Sequence, residues 1–80
     1  MVHKLKININ YFKDVLIGKK TFEVRKNDRD YKVGDSIVLN EWNNEEQYFT
    51  GRKVSGKITY ITDFMQLPGY VVFSFEIDSK

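Results

Sequence analysis

The stretch GKKTFEVRKNDRDYKVGD, Gly18–Asp35, sets the reading of the whole chain. Its first half alternates: Phe22 and Val24 share one parity, Thr21, Glu23 and Arg25 the other. Period two is the mark of a half-buried strand, and hydropathy assigns Phe22 and Val24 to the core and Glu23 and Arg25 to the open face. Gly18 is placed to end a preceding helix, because glycine takes the left-handed C′ conformation without a Cβ clash. Lys19 and Lys20 then follow the negative end of that helix. Asn27–Lys32 is polar and turn-like, and Val33-Gly34-Asp35 is a tight turn into the next strand.

Working outward, Val2–Ile9 also alternates, with His3, Leu5, Ile7 and Ile9 opposite Lys4, Lys6 and Asn8. His3 thus falls on the inward side near a strand end, where a hydrogen-bonded structural histidine is expected. Asn10 is placed to cap a helix near residues 10–17, with Phe12, Val15 and Leu16 as its apolar stripe. On the C-terminal side, Ser36–Trp42 reads as a strand with Ile37 and Leu39 inward, and Asn43–Gln47 as a polar loop. Tyr48–Thr50 and Lys53–Thr62 read as strands around a turn or bulge at Gly51. The second carries Val54, Gly56, Ile58 and Tyr60 on one parity, and Gly56 suggests a bend or close backbone approach. Pro68-Gly69 makes a turn before Tyr70–Ile77, whose Val71, Phe73, Phe75 and Ile77 face inward. The fold class expected is α+β, mainly β: five to six short strands and one principal helix, closed as a small barrel that hides its edges.

Eighty residues provide for a single domain, 1–80. Hydrophobic residues at 41% and aromatics at 15% place the chain clear of disorder, with Phe and Tyr supplying much of the core volume. There is no cysteine, which removes disulfides, thiolate metal sites and cysteine nucleophiles. One histidine cannot build a multi-histidine metal centre, so no metal and no cofactor are expected. Met1–Ile9 lacks the apolar run of a signal peptide and no segment has membrane-spanning length, so a cytoplasmic location is expected.

Net charge is only +2, but residues 1–32 carry nine Lys/Arg against four acids, and residues 33–80 four against seven. Opposite signs in the two halves suggest one face aimed at an anionic partner. Within that basic half, Arg25 offers a rigid fork of donors for a phosphate or paired acceptors. Glu23 offers two oxygens for donors on a base edge. The plain alternative is a solvated Glu23–Arg25 ion pair contributing under ~1 kcal/mol. Trp42, at a strand end beside a polar loop, is the aromatic placed best for base stacking.

The run Gly18-Lys19-Lys20-Thr21-Phe22-Glu23-Val24-Arg25 resembles the G-x-K-x-x-E-x-R signature of the ASCH domain, related to PUA domains and named from an activating signal cointegrator. The likeness extends to His3–Ile7, Tyr11-Phe12, Arg25–Asp30, Lys32–Asp35, Glu41-Trp42, Tyr48, Thr50–Arg52 and Lys57–Ile61, as in a small bacterial and phage ASCH-type family. The resemblance implies a PUA-like β-barrel with a helix beside it and a cleft lined by Lys20, Glu23 and Arg25. It implies RNA or a nucleotide-like ligand as partner. From their own placement, Lys19 at the helix exit, Lys26 and Arg29 in the basic loop and Trp42 at its strand end are further candidate contacts, and the modest total charge gives little preference for duplex DNA. Some small ASCH proteins are amidohydrolases acting on acetylated cytidine through a Lys, a Thr three residues later and a Glu. Here Lys20 matches the lysine, but Glu23 occupies the threonine's place. Any catalytic set would have to draw on Lys20, Thr21 and Glu23, so an enzyme is not the leading expectation. A third class is a protein-interaction module, which an exposed apolar patch would support.

Overall fold

The structure, a computed structural model, describes residues 1–78; the last two positions of the expected 1–80 domain lie outside the described residues. Among the described residues five strands and one helix run in the order β1 (Val2–Asn8), α1 (Ile9–Leu16), β2 (Phe22–Lys26), β3 (Ser36–Asn43), β4 (Tyr48–Thr62) and β5 (Tyr70–Ile77). They form a mainly β domain, a curled half-barrel of strand order β1-β3-β4-β5-β2 with one helix. β1 and β3 are parallel, so the chain needs a long crossover between them, and residues 9–35 supply it with α1 and β2. All other pairings are antiparallel.

The long strand β4 produces the curl. Its first part pairs with β3 and its second with β5, and the register shifts once in each ladder. Opposite β3, residues 50–52 bulge at Gly51, whose φ is +93°. Opposite β5, the register slips between Ile58 and Tyr60. Bulges bend and twist the strand that carries them. Residues 48–62 are therefore one bent strand rather than two. The second slip also turns Tyr60 outward and brings Ile61 against the core. Gly56 lies where β4 pairs with both neighbours, opposite Ile37 and Ile77. A Cβ there would sit 2.3 Å from the Glu76 carbonyl oxygen, which accounts for the glycine.

The concave face packs Leu5, Ile7, Ile37, Leu39, Ile58, Val71, Phe73 and Phe75, and α1 adds Phe12 and Val15. Asn8, not the expected Asn10, caps α1, its Oδ1 accepting from the Asn10 amide at 2.9 Å, so the cap lies two residues earlier and the helix begins at Ile9. Leu16, expected in the apolar stripe, is exposed: the helix turns Phe12 and Val15 onto the sheet, and Leu16 falls beyond the edge of that stripe. Gly18 ends the helix at φ +84°, with Lys19 N–H bonded to the Asp14 carbonyl and Gly18 N–H to that of Val15. Tyr31, inside the stretch read as polar turn, is buried against His3 and Phe73 at ring distances of 4.8 and 5.0 Å.

Strand β2 reverses the expected faces. Phe22 and Val24 are 47% and 52% exposed, whereas Glu23 is 6% exposed. Hydropathy misleads here because Glu23 does not enter the interior as a bare charge: two cations accompany it, which is what a buried carboxylate requires.

Candidate functional site: the seam between the edge strands

The curled sheet brings its two edges, β1 and β2, towards each other without joining them by a ladder. A cleft of about 460 Å³ lies between them, lined by β1 from Lys6 to Asn8, by Tyr11 of α1, and by Lys20 and Phe22–Arg25. That volume falls in the roughly 300–1,000 Å³ range of small-ligand clefts.

At its base Glu23 holds two of the three cations of the signature segment, Lys20 and Arg25. Arg25 donates to Glu23 Oε1 from Nε at 3.1 Å and from Nη2 at 2.8 Å. Lys20 Nζ bonds Glu23 Oε2 and donates to the Phe22 carbonyl at 2.7 Å. Arg25 Nη2 also crosses the seam to the Lys6 carbonyl at 2.5 Å. Lys20 sits between two aromatic rings, 5.6 Å from the centroid of Tyr11 and 5.0 Å from that of Phe22. Two cations around one carboxylate leave a surplus positive charge, so the arrangement suits an anionic group.

The expected site residues divide accordingly. Lys20, Glu23 and Arg25 converge on the cleft. Lys19, Lys26 and Arg29 are exposed and lie outside its lining. Trp42 is half-buried and also outside it, with Phe49 edge-on at 4.7 Å and Lys6 Nζ 4.1 Å above its ring. Thr21 is exposed, its carbonyl accepts from the Phe75 amide at 3.0 Å, and among the described residues its hydroxyl makes no hydrogen bond. Sequence reading missed Tyr11 and the backbone of Lys6–Asn8, because only the curl of the sheet brings β1 opposite β2. Among the described residues no group of three or more His, Asp and Glu is arranged to hold a metal.

Residues 2–75 match the family described as Domain of unknown function (DUF3850). The chain belongs to that family. It is 46% identical over 72 residues to an Escherichia phage P2 protein named "Uncharacterized 12.9 kDa protein in GpA 3'region", the match covering 89% of this chain. The chain spans 64% of that relative's length.

Two further polar clusters brace this DUF3850 domain away from the seam. Glu41, 1% exposed, takes hydrogen bonds from Arg52 Nε and Nη2 at 2.9 and 2.8 Å and from the Thr50 hydroxyl at 2.5 Å. These bonds, Arg52 foremost, hold the Glu41 carboxyl below its ordinary range. The β4 bulge is what presents Thr50 and Arg52 together to this one side chain. At the start of β3, Asp35 Oδ2 lies 2.7 Å from His3 Nε2 and also accepts from the Lys32 amide. The His3 bond is the main cause that lowers the Asp35 carboxyl. Burial pushes the Tyr31 phenol up, against the pull of Arg25 and Arg29. No helix among the described residues is long and apolar enough to cross a membrane.

Proposed function

We propose that this DUF3850 chain is an ASCH-type, PUA-like domain that binds RNA or a nucleotide-like ligand in the seam between β1 and β2. The observation that carries the reading is the convergence of Lys20, Glu23 and Arg25 on one cleft. Those are the positions at which the chain resembles the ASCH signature. Aromatic rings of Tyr11 and Phe22 lie beside Lys20, a combination suited to a planar base with a nearby phosphate. The cleft's surplus charge is small, which favours a single-stranded or looped segment over duplex DNA. Titration of the purified protein at low salt with RNA oligonucleotides, mononucleotides and duplex DNA tests this. Binding to RNA or a nucleotide that weakens with salt and with Lys20→Ala supports the reading; no binding by either overturns it.

A protein-interaction module is the second reading, and one observation favours it. Phe22 and Tyr60 flank Ser74 on the outer face of the sheet, and both are exposed. Phe64, Met65 and Leu67 follow in the next loop at 73–84% exposure. Exposed apolar groups at that density are a feature of contact surfaces.

A further inference from the structure

Resting on the nucleotide-binding reading, we infer that the seam holds the phosphoryl group of the ligand, gripped by main-chain amides of both edge strands together with Arg25 and Lys20. The ladders fix which backbone groups face the opening. On β2, the Asn27 amide bonds the Gly69 carbonyl and the Phe75 amide bonds the Thr21 carbonyl, so odd-numbered residues exchange bonds with β5. Antiparallel geometry then directs the N–H and C=O of Phe22 and Val24 to the open side. On β1, the Ser36 amide bonds the Met1 carbonyl in a parallel register that pairs Val2 with Ser36. That phase engages odd-numbered residues of β1 with β3 and turns Lys6 and Asn8 towards the seam. The two recorded seam contacts agree, because Arg25 reaches the Lys6 carbonyl and Lys20 the Phe22 carbonyl.

Those contacts also make the walls unequal in donors and acceptors. Carbonyls of Lys6 and Phe22 are occupied by cations and that of Val24 stays open, while four amides, those of Lys6, Asn8, Phe22 and Val24, have no partner in the β3 or β5 ladders. Arg25 Nη1 makes no hydrogen bond among the described residues. Lys20 uses two of its three N–H donors, and Glu23 has three of its roughly four acceptor sites filled. Free donors in the seam therefore outnumber free acceptors, which are the Val24 carbonyl and the remaining Glu23 site. A phosphoryl group, with acceptor oxygens only and a negative charge, complements it. A neutral nucleoside, which presents donors as well, does not. Glu23 serves this site as a positioning residue that aims the two cations.

Calorimetric titration of the wild-type protein with uridine 5′-monophosphate, uridine, inorganic phosphate and a short oligouridylate at low salt tests the inference, alongside backbone amide NMR. The monophosphate should bind about tenfold or more tightly than uridine, and inorganic phosphate should compete with it. On titration with inorganic phosphate, the amide resonances of Lys6, Asn8, Phe22 and Val24 should move in the wild type, a readout that needs no variant. Arg25→Lys should weaken the monophosphate by a larger factor than it weakens uridine. Equal affinity for uridine and its monophosphate, or phosphate-induced shifts confined to other amides, overturns the inference while leaving the nucleotide reading intact. Failure of the oligouridylate, the monophosphate and uridine alike overturns both.

Discussion

Arg25 on β2 donates across the seam to the backbone carbonyl of Lys6 on β1, at 2.5 Å. The bond does for two edge strands what a ladder rung does elsewhere, and the same guanidinium fastens Glu23. Glu23 is 6% exposed, so Arg25 and Lys20 stand where water would otherwise surround its carboxylate. Binding chemistry and stability are coupled at this point.

Arg25→Ala is expected to destabilise the domain by roughly 2–3 kcal/mol, less than a buried pair broken outright because Lys20 remains. Arg25→Lys should fall between it and the wild type, since a point charge cannot reach Glu23 and Lys6 with a fork. Glu23→Gln should destabilise as well. Thermal melting checks all three, and an unchanged melting temperature for Arg25→Ala would show that the seam contacts carry no stability.

Phe22→Ala should cost little, about 1 kcal/mol or less, because the ring is 47% exposed. Phe73→Ala, at a fully buried position in the middle of β5, should cost about 3–5 kcal/mol, a large part of what so small a domain has. Denaturant titration of the two variants reads the difference directly. Equal costs would restore the face assignment that hydropathy suggested for β2.

That strand marks where sequence reading stops working. β1, β3 and β5 were legible because each sends aliphatic or aromatic residues to one face, as Leu5 with Ile7, Ile37 with Leu39, and Phe73 with Phe75 show. β2 carries its apolar residues outward and its carboxylate inward, so the same rule gives the wrong face. Tyr31 escaped notice because the residues around it, Asn27–Asp30 and Lys32, are polar; it reaches the core as a single side chain from a loop. The slip at Thr59 was equally hidden, since nothing in Ile58-Thr59-Tyr60 signals that the register changes. For the site, Lys20, Glu23 and Arg25 could be picked out as a group. Their facing wall could not, because Lys6–Asn8 contribute backbone, and backbone direction follows from the parallel pairing with β3.

Acid should unfold the domain through Asp35 and Glu41. Both carboxyls are held below their ordinary range in the fold, by the His3 bond and by the Arg52 bonds respectively. The unfolded chain therefore takes up protons first as pH falls through the usual carboxylate range near 4, and stability declines until the folded values are passed. Above that range their contribution is complete. Glu41→Gln should flatten the decline of melting temperature between about pH 5 and pH 2; a slope identical to wild type would remove Glu41 from this role.

Gly56→Ala should destabilise by about 1–3 kcal/mol or more, because its Cβ would press on the backbone carbonyl of Glu76 at 2.3 Å and backbone yields less easily than a side chain. Loss should appear first as faster amide exchange on the β5 side of the β4 junction. Normal stability of the alanine variant would mean that β4 and β5 can separate there without cost.

No appreciable hydrolysis of acetylated cytidine is expected from the purified protein. Nucleophilic attack by a hydroxyl requires a base within about 2.6–3.2 Å to take its proton. Lys20 is the candidate base, yet its contacts to the Phe22 carbonyl and to Glu23 use it as a donor, opposite to the role a base must play. Thr21 adjoins it in sequence, but its carbonyl is bonded to the Phe75 amide and its hydroxyl is not joined to Lys20 by a hydrogen bond. Glu23, at the position where the amidohydrolases have their threonine, is ion-paired on both oxygens. Release of acetate followed over hours with wild type, Lys20→Ala and Thr21→Ala decides the matter. Turnover lost in both variants would make Thr21 the nucleophile and Lys20 its base, and would require the Lys20–Glu23 pair to open when substrate enters.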